Sequence, residues 1–238
     1  MSHWLEVGDL HIRVTRKQVR NLHLSVNPPD GAVHMTAPDW MDAESVRLFA
    51  INKLGWIRRE QKKMRAQARE PAREYIQDES HYVWGRRYLL HIVERKAAPA
   101  VELQPHHLVL QIRPGTDTAR REAILYRWYR DQIRQALPPL LATWQPRVGR
   151  EAQRVFIQRM KTKWGSCNAS RGNIRLNSEL ARKPPECLEY ILVHELVHLL
   201  EPTHGDAFIR HMNRLMPTWR ARQELLNRLP VRNEKWTY

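Results

Sequence analysis

Tyr190-Ile191-Leu192-Val193-His194-Glu195-Leu196-Val197-His198 is the stretch whose reading decides the fold. Leu188, Ile191, Leu192, Leu196, Leu199 and Leu200 supply apolar cover at helical spacing, so the segment predicts a largely buried helix. Residues four apart share a helix face, which brings His194 and His198 together and leaves Glu195 projecting beside them. Two unliganded imidazoles in apolar surroundings are costly, and a metal ion resolves that cost. The H-E-x-x-H order adds a carboxylate able to take a proton from a water that the metal polarises. The expectation is one Zn2+ ion held by His194 and His198, with Glu195 as general base.

Just beyond, Pro202 is placed to stop the helix and His204 returns after the turn as a third ligand. Catalytic zinc typically takes three protein ligands and keeps one position open for water, and His194, His198 and His204 satisfy that count. Glu201, His211 and Glu224 are rivals for the third place. The spacing equals that of the longer metzincin motif, but Glu201 stands where that motif has glycine. Upstream, Pro184-Pro185 fit a first helical turn, and Glu186 and Glu189 sit near its positive end.

Immediately before this helix, Val155-Phe156-Ile157 reads as a strand. Lys161 to Cys167 and Ile174 to Asn177 read as a hairpin turning at Ser170-Arg171-Gly172-Asn173. An edge strand there can pair with an extended peptide and hold one bond over the metal. Trp164 is a candidate cleft wall, and Ser166, Arg175 and Asn177 are candidate substrate-binding or oxyanion-stabilising residues by proximity alone. Cys167 reads as a small buried hydrophobe rather than a ligand.

The N-terminal part is β-rich. Strands are expected over 10–14, 22–26 and 32–35, the last two as a hairpin about Pro28-Pro29-Asp30-Gly31. One long helix is expected over 41–68, with Asp39 or Asp42 as cap and Val46, Phe49, Ala50, Leu54 and Ile57 as its buried stripe. Between Lys53 and Glu74 there are eight basic residues against three acidic ones, a solvated face or a nucleic-acid-facing one. Strands return over 82–84, 88–93 and 108–112. A second helix follows Thr116 or Asp117, with Leu125, Trp128, Tyr129, Ile133, Ala136 and Leu137 buried and a break or restart at Pro138-Pro139. Closing helices are expected over 208–216 and 217–229, and no internal repeat is visible. The chain is read as α+β, with a β-rich part over 1–115 and a metal-binding catalytic part over 116–238.

Forty Lys and Arg against 25 Asp and Glu leave a net charge of +15, which favours solubility or a polyanionic partner or substrate. With two cysteines, no signal-peptide pattern at the start and no apolar run near ~18 residues, the expected place is the cytoplasm, without membrane insertion.

Lys163-Trp164-Gly165-Ser166-Cys167, Gly172-Asn173-Ile174-Arg175-Leu176-Asn177, Pro185, Tyr190 to His198, and His204-Gly205 with Phe208 together resemble the YgjP-like metallopeptidase-domain family, relatives of the SprT-like and Wss-type zincins. The resemblance covers most of the chain. Lys163 stands where Arg is usual, and His204 is followed by Gly-Asp-Ala rather than Ser-Pro; neither change removes a ligand. The resemblance implies a zincin-like core with three histidine ligands and a glutamate base. It favours a zinc-dependent metallopeptidase acting on a peptide or protein. Two alternatives stay open. Arg154, Arg159, Lys161, Lys163 and Arg175 can hold phosphates, which fits a nucleotide pyrophosphohydrolase acting on a nucleoside triphosphate. The basic surface fits a protease working on DNA-associated proteins.

Overall fold

Alternating apolar residues build the first sheet. In the computed structural model, which describes all residues except 1, 28–30, 67–68, 71, 162 and 233–238, strands β1 (Ser2–Val7), β2 (Leu10–Lys17), β3 (His23–Asn27) and β4 (Ala32–Pro38) lie in the order β1-β2-β4-β3. The central pair, β2 and β4, is parallel and both flanking pairs are antiparallel. The expected hairpin is present, with Val26 opposite Val33. Ile12 and Val14 from β2 and Val33, Met35 and Ala37 from β4 are buried. Strand β1 escaped the sequence reading because most of its residues are exposed and Trp4 faces solvent.

The single helix expected over 41–68 is two helices, α1 (Ala43–Asn52) and α2 (Leu54–Ala66). Asp42 caps α1 by accepting the Ser45 N–H at 2.7 Å. Lys53 divides the two, with its N–H shared between the carbonyls of Phe49 and Ala50 at 3.1 Å each. Gly55 weakens the helix just past that point, and the division lets Ile57 join Val46 and Ala50 in one core with the sheet. Residues 67 and 68 of the expected helix lie outside the described residues. Arg69–Glu70 and Val231–Arg232 pair in parallel.

Residues 1–72 with 230–238 form one unit, and Arg73–Leu229 form the second. The boundary expected at 115 lies inside this second unit, because its first sheet shares a core with the helices that follow. That sheet consists of β5 (Ser80–Val83), β6 (Arg86–Glu94), β7 (Ala100–Leu103) and β8 (His107–Ile112), ordered β5-β6-β8-β7. Again the central pair is parallel and the flanking pairs antiparallel. Trp84 and Gly85, at φ 48° and 80°, form a two-residue turn between β5 and β6.

Helix α3 (Thr118–Val148) is capped by Asp117 and runs without interruption through Pro138, Pro139 and Pro146. The expected break at Pro138-Pro139 does not occur. An interior proline costs about 3 kcal/mol, while full burial of one large apolar side chain contributes roughly 1.5–3 kcal/mol. Leu125, Tyr129, Ile133, Leu137, Trp144 and Val148 form one buried stripe in phase across the prolines. The stripe wins.

A three-stranded sheet follows, made of β9 (Arg154–Gln158), β10 (Gly165–Asn168) and β11 (Asn173–Asn177) in the order β9-β11-β10. Strand β11 is parallel to β9 and antiparallel to β10, which lies at the edge. Helices α4 (Pro185–Val197), α5 (Asp206–Leu215) and α6 (Trp219–Arg228) complete the unit. Helix α4 ends at Val197 rather than continuing to Pro202; His198 caps it, and the Leu199 and Leu200 amides tighten onto Leu196 and Val197. No described helix is long and apolar enough to cross a membrane.

Candidate metal centre

Helix α4 is fixed at its start and along its flank. Pro185 occupies the first helical position, where a missing N–H leaves no bond unmade. The Trp84-Gly85 turn abuts that start: the Trp84 N–H donates to the Ala181 carbonyl at 2.8 Å, and a Cβ on Gly85 would lie 2.8 Å from Pro184 Cγ. Glu189 accepts the Trp144 indole N–H at 3.0 Å and pairs with Arg222, tying α4 to α3 and α6. Cys187, Leu188, Ile191, Leu192, Val193, Leu196 and Val197 are buried around it. The helix that carries His194 and Glu195 is therefore held on most of its circumference.

Its C-terminal end brings three imidazoles together. The Nε2 atoms of His194 and His198 are 3.2 Å apart, those of His198 and His204 3.1 Å, and those of His204 and His194 3.0 Å. Three nitrogens that all contact one another cannot all be joined by hydrogen bonds, because each such bond needs one donor facing one lone pair. Two nitrogens bound tetrahedrally to one ion at 2.0–2.1 Å would lie about 3.3 Å apart. The donor set and its spacing fit zinc. The His198 Nδ1 is 3.0 Å from the Glu201 carbonyl, so Nδ1 holds the proton and donates it while Nε2 keeps a free lone pair. Phe208 floors the cluster, with ring centroids 4.9, 4.6 and 4.8 Å from His194, His198 and His204. Burial first, and then the neighbouring imidazoles, push the His194 pKa down to about 3. Burial likewise lowers His198. Neutral imidazole is the form that binds metal.

Glu195 is 4 % exposed, and its Oε2 has no hydrogen-bond partner among the described residues. Burial raises its pKa to about 8, an effect partly offset by the charge of Lys163. Edge strand β10 crosses directly over it. A methyl group on Gly165 would sit 2.5 Å from Glu195 Oε1 and 2.8 and 2.9 Å from its Cγ and Cδ. The sequence reading missed Gly165, although a glycine inside a strand is itself a signal of close approach.

The phase of β10 follows from the Asn177 N–H, which donates to the Trp164 carbonyl at 2.9 Å. Ser166 and Asn168 therefore exchange hydrogen bonds with β11, while Gly165 and Cys167 turn their N–H and C=O groups toward the open edge. Ser166 lies directly opposite Arg175, and both share the face away from the one that Gly165 presents to Glu195. Arg175 instead stacks its guanidinium 5.8 Å from the centre of the Phe156 ring. Neither residue is turned toward the metal centre. Asn177 is 5 % exposed and fully engaged. Its Nδ2 donates to the carbonyls of Met160 and Lys163 at 2.8 Å each. Its Oδ1 accepts from the amides of Met160 and Glu179 at 3.3 and 3.1 Å. It is a staple for the loop leading into β10. Trp164 is half-buried against the core, with Lys183 Nζ 5.9 Å from its ring centre.

Cys167 remains a thiol, since burial and then the Glu195 carboxylate push its pKa up to about 11. The rivals for the third ligand position lie elsewhere. Glu201 reaches the cluster through its backbone carbonyl and accepts the Thr203 hydroxyl with its carboxylate. His211 stands outside the histidine group. Glu224 makes an exposed pair with Arg228 at 4.0 Å. Two of the cations considered for a nucleotide are engaged elsewhere: Arg159 pairs with Glu122 and stacks on Tyr126, and Arg175 lies over Phe156. A cleft of about 990 Å³ opens at the opposite end of α4, between Trp84, Tyr88, Gln132, Leu140 and Glu186, and holds none of these residues.

The sequence matches the family described as YgjP-like, metallopeptidase domain, over residues 20–229. Among solved structures, the metallopeptidase zymogen of Pyrococcus abyssi abylysin is similar at 28 % identity, over 36 % of this chain and 84 % of that chain, with a TM-score of 0.33. No match is found among curated proteins.

Proposed function

The chain belongs to the YgjP-like metallopeptidase domain family, and from that premise we propose that it is a zinc-dependent peptidase of zincin type. The observation that carries this reading is the trio of histidine Nε2 atoms, 3.0 to 3.2 Å apart, beside a buried carboxylate that an edge strand crosses. His194, His198 and His204 would hold the ion. When bound, zinc supplies Lewis acidity and lowers the pKa of a coordinated water toward ~7.

The rest is done by this chain's own side chains. Glu195, whose carboxyl pKa burial pushes up, would be favoured as the carboxylate by a dication held on the three histidines. Glu195 then accepts a proton from the attacking water and returns it to the leaving amine. An extended substrate pairs with the outward N–H and C=O groups of Gly165 and Cys167, which aligns one peptide bond with Glu195. With only hydrogen at the Gly165 Cα, the strand and its guest approach the carboxylate closely.

The test is metal analysis with a peptide panel. The expected result is about one zinc per chain and peptide cleavage that Glu195→Gln abolishes while metal content is kept. A metal-free protein with full activity, or an active Glu195→Gln variant, refutes the reading.

A further inference from the structure

Attack on a peptide carbonyl turns a neutral oxygen into an anion, and groups already aimed at that oxygen stabilise the transition state most. The residues nearest in sequence that would serve this purpose are committed elsewhere. Both ends of the Asn177 amide are occupied within its own loop. Ser166 and Arg175 share the face of the sheet turned away from Glu195.

We propose that Lys163 supplies the positive charge that stabilises the scissile carbonyl oxygen as it becomes an oxyanion. This inference rests on the peptidase reading. Lys163 precedes by two residues the glycine that lies against Glu195, a span of at most ~7 Å along the backbone. A lysine stem covers that distance and leaves the ammonium free to turn toward the site. The backbone here is pinned rather than loose. The Lys163 carbonyl accepts from Asn177 Nδ2 at 2.8 Å, and the next carbonyl, of Trp164, accepts the Asn177 N–H at 2.9 Å. The Lys163 side chain is exposed, so it lies where a substrate can meet it. Its charge is also the one felt by the Glu195 carboxyl.

The step balances without any further reactant. The water oxygen bonds to the carbonyl carbon, its proton passes to Glu195, and the carbonyl π pair moves to the oxygen facing Lys163. Collapse restores the carbonyl and breaks the C–N bond, and the proton moves from Glu195 to the departing amine. Lys163 takes no part in the proton transfers and acts through its charge alone.

Lys163→Met keeps much of the stem and removes the charge, whereas Lys163→Arg keeps the charge. Both are compared with wild type in kcat, KM, zinc content, thermal melting and affinity for a phosphinic peptide, an anionic mimic of the tetrahedral state. The expected result is a loss of kcat of about 100-fold in Lys163→Met, with KM within about twofold and the mimic weakened by a similar factor to kcat. Zinc content and melting stay unchanged, and Lys163→Arg recovers most of the activity. A kcat within threefold of wild type, a loss confined to KM, unchanged mimic affinity, or an arginine variant as poor as the methionine one overturns the proposal. If wild type cleaves no peptide, the peptidase reading falls and takes this inference with it. If wild type cleaves and Lys163→Met equals it, only this inference falls.

Discussion

The chain contains two four-stranded sheets with the same strand order and the same pairing, a parallel centre flanked by antiparallel edges. Both are followed by a helical segment. They differ in what the helix does next. After the first sheet, α1 and α2 close a core containing Ile12, Val14, Val33, Met35, Val46, Ala50 and Ile57. After the second, α3 extends one continuous core from Leu90, Leu108 and Leu110 through Tyr129 and Ile133 to Ile174, Leu192 and Phe208. The same topology therefore serves once with a small core of its own and once as the base beneath the three-histidine cluster. Strand order says nothing about function; continuity of packing with the site does.

The largest effect that can break this contrast is chemical. Glu195→Gln should lower kcat by at least ~1,000-fold at unchanged zinc content, and no substitution in the first unit should do the same. Gly165→Ala comes next. Its methyl group must displace a buried carboxylate that lies 2.5 Å from where it would stand. A catalytic group moved by about an ångström costs on the order of 100-fold. Peptide hydrolysis with zinc content as control checks both, and a fully active Gly165→Ala would show that Glu195 does not work from its observed position.

A matched pair of core truncations tests the packing half of the comparison. Ile12→Ala and Leu110→Ala each remove a fully buried side chain from a central strand of its own sheet. Each should cost about 2–5 kcal/mol. Thermal unfolding followed together with zinc release should separate them. Leu110→Ala should lower the temperature at which zinc is lost, and Ile12→Ala should leave it in place. Equal shifts in zinc release would mean that the two cores melt as one.

How much of this was legible in the sequence depends on the distance over which each feature is encoded. The helix that brings His194 and His198 together was plain, since His194, Glu195 and His198 fall within one turn and a half of an apolar helical pattern. His204 was within reach because one short turn brings it back. The roles of Asn177 and Arg175 were not legible. Asn177 is set by four partners contributed from Met160, Lys163 and Glu179, and Arg175 by a register that only pairing with Ser166 defines. Local rules misjudged α3, where proline's local cost meets a buried stripe that exists only once the second and third sheets are in place. The repeated sheet order was invisible because alternation, rather than residue identity, specifies both copies.

Acid sharpens the contrast on a finer scale. His81, on β5, is fully buried, and burial pushes its pKa down to about 2. In the unfolded chain a histidine titrates near 6.5. Between those values the unfolded state binds a proton that the folded state refuses, so this contribution is complete above pH ~6.5 and falls as pH drops below it. The slope for one such group is at most about 1.4 kcal/mol per pH unit. Metal-free protein should therefore lose stability toward pH 5, and His81→Gln should flatten part of that fall relative to wild type. Parallel pH curves for the two would remove His81 from the account.

The smallest expected effect lies on the basic helix of the first unit. Arg58 bonds Asp9 at 2.8 Å and holds that carboxyl below its ordinary range, but both side chains are well exposed. Exposed pairs lose to solvent screening and side-chain entropy most of what they gain by attraction. Arg58→Ala should therefore leave melting, zinc content and peptide turnover unresolved from wild type, even though it removes a cation from the most basic stretch of this unit. A clear loss of peptide turnover would mean that charge in the first unit reaches the reaction, most simply by steering an anionic substrate toward the surface. That loss should then shrink as salt is raised, because screening shortens the reach of exposed charges to about 8 Å at physiological ionic strength. A salt-independent loss would instead mean that the first sheet and the histidine cluster are coupled through structure, and the contrast between the two cores would fail.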